Sequence, residues 1–393
     1  MAEKRYSILV PTRERPDVLY FTIKTILKLT RPNYELIVMD NHGGPETEQV
    51  VKGFESPNIR YFRSPERLSM TDNWEHALEH ATGDYITFLG DDDGIMPDAI
   101  EIAERFHRHW PDRILSWWPF VWMWPDSLVP GYPNFTRMHF GAHAARCSSR
   151  QFLKDLLAFK KHFLNLPTLY CSFVPRQMIE AVRLKHGRYF LASLPDVYSG
   201  IANLCSSDEF FYCYRPLTAW GISRHSTGAS KWFGAGESGE QFDAENRQSP
   251  LEASHPRLSG AELIVEVQLA NLYLQMKEKL FPHDDGLQLD IAGLLRHIST
   301  AGARRFHSRR DALEAAIKDM ALKNGLDPAE FPVVLRGKPG GPGKFSYRML
   351  PDENNVISFQ HFTDPNSVRT IEDFVAFAHR MCLETNQIKI PRP

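Results

Sequence analysis

Cysteine is scarce in this 393-residue chain: five are present, at 147, 171, 205, 213 and 382, and no two have CxxC spacing. That excludes a disulfide framework or a zinc site and fits the reduced thiols of a cytosolic protein. Positive charge is not in excess either. The formal net charge is −2, so no basic field argues for a nucleic-acid partner. No apolar run reaches the ~18 residues that suggest a membrane span. The charged start, Met1-Ala2-Glu3-Lys4-Arg5-Tyr6, shows no signal peptide. Glycine is missing where two common phosphate loops need it. The loop after the first strand reads Pro11-Thr12-Arg13-Glu14-Arg15-Pro16 instead of GxGxxG, so a nicotinamide or flavin cofactor is not expected. No GxxxxGKS/T loop occurs.

What remains is an ordinary globular composition, 42% hydrophobic and 24% charged, in a chain long enough for two or three domains. Strand and helix patterns alternate from the start. Residues 6–10 form a continuous apolar run closed by Pro11, as expected of a buried parallel strand. Leu19, Ile23, Ile26 and Leu27 recur at helical spacing, with Asp17 or Thr12 available as a cap and Arg31-Pro32-Asn33 as the stop. A second strand at 34–39 finishes at Asp40-Asn41-His42-Gly43-Gly44. A helix at 46–54, a third strand at 59–62 and a helix opening at Arg67 and running through Leu78 follow. The alternation predicts a doubly wound, mostly parallel α/β sheet.

The fourth strand is the stretch around which the chain is organised: Tyr85-Ile86-Thr87-Phe88-Leu89-Gly90-Asp91-Asp92-Asp93-Gly94. β-Branched and aromatic residues make a short buried strand, a glycine ends it, and three carboxylates follow where it leaves the sheet. Such charges repel one another unless a cation or hydrogen-bond donors compensate them. Ligands of open α/β sheets bind at this level, in the crevice outside the strand carboxyl ends. A hard divalent cation takes oxygen ligands, and a bound nucleotide diphosphate would supply the rest. A solvated acidic turn ahead of a helix that carries Asp98 in its first turn fits the same residues. Asp40, at the end of the second strand, can accept hydrogen bonds from a ribose or a base.

Taken in order, Ser-Ile-Leu-Val-Pro-Thr-Arg at 7–13, Leu-Ile-Val-Met-Asp-Asn at 36–41, the 67–78 segment and Leu-Gly-Asp-Asp-Asp-Gly-Ile-Met-Pro-Asp at 89–98 resemble a family 2 glycosyltransferase of the GT-A fold. The resemblance implies a nucleotide-sugar donor, a divalent metal (Mn²⁺ or Mg²⁺) and inversion at the anomeric carbon. By position, Pro11, Thr12, Arg13 and Asp40 would line the nucleobase and ribose side, and Arg67 would lie beside the nucleotide. Asp91 would reach the ribose, and Asp92 would ligate the metal under the diphosphate. Many members have Asp at the place of Gly90, giving Asp-x-Asp. Some relatives shift the pair by one residue, which leaves Asp91 versus Asp93 open and makes Asp93 a further candidate ligand.

Beyond the acidic stretch, residues 100–106 pattern as an amphipathic helix ended by Pro111. Residues 114–124 read as one strand with Trp117, Trp118, Trp122 and Trp124, which serve either as core or as a platform for an acceptor sugar. In transferases of this fold, a carboxylate that opens a helix well after the metal motif sits under the acceptor hydroxyl. Asp196 takes that place as general base, and capping its helix is the alternative. His225 follows a strand that starts at Tyr214. In several such enzymes a histidine returns to the metal, and imidazole suits Mn²⁺ better than Mg²⁺; an exposed loop histidine is the alternative. Arg224 is a candidate partner of the diphosphate, and the glycine-rich stretch 232–239 is a candidate flap.

The expected organisation is a nucleotide-sugar-binding half at 1–98, an acceptor-binding half at 99–250 and a helical accessory region at 251–393. The last region has helices near 263–280, 289–298, 312–322 and 371–384 for acceptor binding or homo-oligomer formation. Arg304, Arg305, Arg309 and Arg310 form a solvated or anion-binding face, and 337–344 is a flexible loop. The expected activity is transfer of a sugar from a nucleotide sugar, a UDP-sugar first, to a glycan, lipid-linked or small acceptor. The expected place is the cytoplasm, with a peripheral position at the inner face of the membrane as an extension. A sugar-phosphate nucleotidyltransferase and a non-catalytic carbohydrate-binding protein are the alternatives.

Overall fold

The structure, a computed structural model, describes residues 5–226, 244–245, 255–260, 265–280, 286–300, 310–334, 347–348, 354 and 356–392. It comprises two units. The first gathers Met1–Cys147, Pro167–Arg247 and Lys344–Pro393, and the second Ser148–Leu166 and Gln248–Gly343.

In the first unit, strands β1 (Tyr6–Thr12), β2 (Tyr34–Asp40), β3 (Ile59–Arg63) and β4 (Tyr85–Phe88) run parallel in the spatial order β3-β2-β1-β4. Helices α1 (Pro16–Ile26), α2 (Pro45–Lys52) and α3 (Met70–Glu79) connect them. β2 is buried along its whole length and β1 at all but one residue, as continuous apolar runs in a covered parallel sheet should be. α1 starts with Pro16 behind Arg15, which occupies the cap position without a side-chain bond, so neither Asp17 nor Thr12 caps it. Ser69 caps α3 through the Asp72 N–H.

After β4 the chain forms β5 (Gly94–Ile95), α4 (Ala99–His107), β6 (Leu115–Trp117), β7 (Phe120–Met123), β8 (Phe135–Phe140) and β9 (Ala144–Ser148). Helix α5 (Ser149–Leu157) follows, then β10 (Ser172–Pro175), α6 (Arg176–His186), α7 (Pro195–Ser206), β11 (Glu209–Cys213) and β12 (Thr218–Ile222). The apolar run 114–124, expected as a single strand, is two strands in two sheets. β6 continues the first sheet beside β10 and β11, whereas β7 lies in a second sheet beside β12 and β8. The break falls at Trp118-Pro119, where proline supplies no ladder N–H. β11 and β12 repeat it at Arg215-Pro216, and each half pairs in parallel with the corresponding half of the first broken run. The tryptophans divide accordingly. Trp117, Trp122 and Trp124 are buried core residues, while Trp118 and Trp220 are half-buried.

Helices α8 (Val265–Leu280), α9 (Ile291–Thr300) and α10 (Arg310–Lys323) lie in the second unit, close to their expected positions. Leu294, Leu295 and Ile298 of α9 and Leu313, Ile317 and Met320 of α10 are buried, each contributing roughly 1.5–3 kcal/mol. The C-terminal stretch departs from the expected accessory region. β13 (Tyr347–Arg348) and β14 (Ile357–Phe362) extend the second sheet of the first unit through β8. Helix α11 (Ile371–Arg380) packs on α1 and β5. Ile371, Phe374, Val375 and Ala378 provide its buried face, and Phe374 stacks on Trp122 at 5.5 Å. Alternation in β14 and a short amphipathic helix are local signals; their partners, more than 200 residues away, are not visible locally. The stretch 232–239, Arg304, Arg305, Arg309 and the loop 337–344 lie outside the described residues.

Candidate active site

The parallel register builds the site's first wall. Thr12, the last residue of β1, is paired with Asp40, the last of β2. Pro11 pairs with Met39 one step below. β4 is shorter: Phe88 pairs with Leu9, so the chain after it turns across the end of β1. The Thr12 hydroxyl there donates to Asp91 Oδ2 at 2.7 Å, and Arg15 Nη1 donates to Asp91 Oδ1 at 3.1 Å. Asp91 is 3% exposed. Burial lowers the Arg15 pKa, but the charges of Asp91 and Asp92 outweigh this and the net shift is upward. Thr22 of α1 ties the turn down by donating to the carbonyls of Asp91 and Asp93.

The other two carboxylates face β12. Asp92 Oδ2 accepts from the Ser223 hydroxyl at 2.6 Å and the Ser223 N–H at 3.2 Å. Asp93 Oδ1 accepts from the Gly221 N–H at 2.7 Å, and its Oδ2 from the Gly90 N–H at 3.1 Å. The Tyr170 hydroxyl also donates to Asp93. Trp124 Nε1 donates to the Asp92 carbonyl at 3.1 Å. Two glycines are required by this packing. A Cβ on Gly221 would overlap the Asp92 carbonyl, and one on Gly90 would overlap the Tyr170 hydroxyl. Burial and then the Asp91 charge push Asp92 up to about 6, against Arg15 and Ser223. Burial and then the Asp92 charge raise Asp93 well above the carboxylate range, against the Gly221, Tyr170 and Gly90 bonds. The acidic stretch is therefore a buried, internally bonded turn and not a solvated one. Asp93, expected as a further ligand, is a clamp between the turn, β12 and Tyr170.

Asp40, expected to accept hydrogen bonds from a ribose or base, is instead fully buried with both carboxylate oxygens engaged. Its Oδ1 accepts from the Gly43 N–H at 2.9 Å and its Oδ2 from the Tyr61 hydroxyl at 2.7 Å. Asn41 grips the backbone of Leu68 twice, donating to its carbonyl at 2.9 Å and accepting from its N–H at 2.8 Å. That sets the loop carrying Arg67. Arg67 and Arg13, 54 residues apart in sequence, meet on one carboxylate: Glu245 accepts from Arg67 Nε at 2.9 Å and from Arg13 Nη1 at 2.9 and 3.1 Å. Arg15, Asn41, Tyr170, Ser223 and Glu245 were not assigned roles from sequence. Each acts through a long-range contact that leaves no periodicity or motif.

Asp196 stands in the first turn of α7, one residue after Pro195, with Leu194 at the cap position and no side-chain cap bond. Its side chain is exposed, yet the protein mass around it desolvates the carboxylate and raises its pKa, against the N–H groups of Val197 and Asp196 itself. His225 does not join the acidic turn as a ligand. Its Nε2 lies 3.3 Å from Asp17 Oδ2 and 3.1 Å from Arg224 Nε, while its backbone N–H donates to the Ser223 hydroxyl at 3.1 Å. Arg224 also donates to Asp17, at 2.9 Å.

Among the described residues no group of three or more His, Cys, Asp or Glu side chains could hold a metal alone. The donor set fits a shared cation instead. One Asp92 oxygen is committed to Ser223, and the other has no protein partner among the described residues. Magnesium-type sites use one or two carboxylates with substrate phosphates and water.

A parallel β3-β2-β1-β4 sheet with an acidic turn across its carboxyl edge, continued by a mixed half, is the α/β architecture of the GT-A class. Residues 7–121 match the family model described as "Glycosyl transferase family 2". It is 30% identical over 99 residues to "GalNAc(5)-diNAcBac-PP-undecaprenol beta-1,3-glucosyltransferase" of Campylobacter jejuni, covering 24% of this chain and 32% of that protein. It is 31% identical over 120 residues to "Protein CgeD" of Bacillus subtilis, covering 28% of each. The chain thus spans a third or less of these relatives' length. Among solved structures it is similar to S. aureus TarS 1-349 in complex with UDP-GlcNAc, with 12% identity, a TM-score of 0.48 and coverage of 92% and 97%.

Proposed function

We propose that the chain is an inverting, metal-dependent glycosyltransferase that moves a sugar from a nucleotide sugar, a UDP-sugar first, to an acceptor hydroxyl. The observation that carries this reading is the convergence of Thr12, Arg15 and the Asp91–Asp92 turn at the carboxyl edge of the sheet, inside the stretch that matches the family model. Thr12 and the loop of Arg67 line the nucleoside side, with the buried Asp40 holding Gly43 and Tyr61 behind them, and Arg13 and Arg67 supply positive charge there. Asp92 holds the cation, which when bound neutralises the diphosphate as a leaving group. Asp196 takes the acceptor proton as the acceptor oxygen bonds to the anomeric carbon and the nucleoside diphosphate departs from the opposite face.

A glycan or lipid-linked acceptor is consistent with the Campylobacter relative, whose name specifies an undecaprenol-linked substrate. No helix among the described residues is long and apolar enough to cross a membrane. A lipid-linked acceptor would place this chain peripherally at the inner face of the membrane. The test is nucleotide release from UDP-glucose, UDP-galactose, UDP-N-acetylglucosamine and GDP-mannose, with and without Mn²⁺. Metal-dependent release from one of them is expected; no release from any, by well-folded protein, overturns the reading.

A further inference from the structure

The short helical turn Leu169–Cys171 touches both halves of the reaction. On one side the Tyr170 hydroxyl and Asp93 Oδ2 of the acidic turn both close over Gly90. On the other, the Leu169 N–H donates to Ser199 Oγ at 3.0 Å, and that hydroxyl donates to the Asp196 carbonyl at 2.6 Å. The turn is itself fixed. Thr87 of β4 donates to the Leu169 carbonyl at 3.2 Å, and Ser116 of β6 donates to the Cys171 carbonyl at 3.2 Å. The Tyr170 ring stacks with Trp74 of α3 at 5.7 Å and 10°, and it meets Trp220 of β12 at 6.4 Å. Its hydroxyl fills the space that a side chain at position 90 would need.

We propose that Tyr170 is a positioning residue that sets the separation between the donor, held at the acidic turn, and the Asp196 carboxylate that receives the acceptor proton. The proposal rests on the glycosyltransferase reading above. Displacement requires the acceptor oxygen in line with the breaking bond and within reach of the base, and misplacement by an ångström costs about 10²-fold in rate. Gly90 and Tyr170 are a matched pair: the missing side chain of one makes room for the hydroxyl of the other.

The experiment uses the full chain, Mn²⁺ and whichever of the four nucleotide sugars named above is cleaved fastest, with water as the acceptor. Tyr170→Phe removes only the hydroxyl. The expected result is a UDP affinity changed by less than about threefold, an unchanged melting temperature and hydrolysis slowed by about 10- to 100-fold. A purely structural tyrosine predicts that UDP affinity and melting temperature fall together with hydrolysis. That pattern, or wild-type hydrolysis by Tyr170→Phe, overturns the proposal. Wild-type protein that cleaves none of the four sugars overturns the glycosyltransferase reading itself, which separates the two failures.

Discussion

Ser223 holds one oxygen of Asp92 through two donors, its hydroxyl at 2.6 Å and its N–H at 3.2 Å. A carboxylate fixed in this way presents its other oxygen in one orientation. The same serine accepts the His225 N–H, so the segment after β12 is fastened to the acidic turn through Ser223. β12 comes this close because Gly221 has no side chain to meet the Asp92 carbonyl.

Removing that carboxylate separates metal binding from folding. Asp92→Ala is expected to abolish most of the Mn²⁺-dependent affinity for UDP measured by titration calorimetry. Relief of its repulsion with Asp91 and Asp93 should leave thermal stability unchanged or higher. UDP affinity equal to wild type would show that Asp92 does not hold the cation.

His225 gives a contrasting expectation. With its imidazole engaged by Asp17 and Arg224, His225→Ala should shift the Mn²⁺ activation curve far less than Asp92→Ala does. Partial burial pushes Asp17 up, but the His225 bond and charge and the Arg224 charge hold it below the ordinary carboxylate range. A His225→Ala curve displaced as far as that of Asp92→Ala would return His225 to the ligand set.

The halves of the site differ in how far the sequence discloses them. Thr12, Asp40 and the acidic turn follow from strand ends, because an apolar run that stops at a polar residue marks the sheet's carboxyl edge. The first four strands and the helices between them were legible for the same reason. Asp93 and His225 were not. Whether a carboxylate points to a ligand or to the backbone N–H of Gly221 depends on a strand that begins more than a hundred residues later. The proline breaks at 119 and 216 were visible as residues, but their effect, moving one strand from sheet to sheet, depends on pairing that no local pattern encodes. The return of 357–380 to the first unit is hidden for the same reason.

The closure of that return yields a stability prediction. Arg215, 1% exposed, donates to both oxygens of Asp98 at 2.9 and 3.1 Å, and Thr385 of the returning segment donates to the same carboxylate at 3.2 Å. Burial raises the Asp98 pKa, but the His379 bond and the Arg215 charge lower it further, leaving it net depressed. A depressed carboxylate contributes stability above its unfolded pKa of about 3.9 and loses it as pH falls through the folded value. Arg215→Met should therefore cost about 3–5 kcal/mol at neutral pH, by removing one partner of a buried pair. In denaturant titrations, the gap between wild type and Asp98→Asn should narrow as the pH drops below about 4. A gap constant from neutral pH to 2 would exclude this role for the pair.

The general base is tested by a substitution that leaves its helix intact. Asp196 is not the cap of α7, so Asp196→Asn deletes no capping bond and preserves side-chain size. In the proposed reading the nucleotide is held at Thr12 and the Arg67 loop, so donor binding does not use this carboxylate. UDP affinity and melting temperature should stay at wild-type values, while transfer or hydrolysis at saturating donor falls by about 10²–10⁴-fold. The pH profile adds a second reading. Desolvation raises the Asp196 pKa, and only the ionised form accepts a proton, so the wild-type rate should fall on acidification with a limb displaced upward from about 3.9. The Asn variant has nothing to titrate there, and its residual rate should show no such limb. Near-wild-type turnover in Asp196→Asn, or an acid limb that survives the substitution, would place the base on another residue.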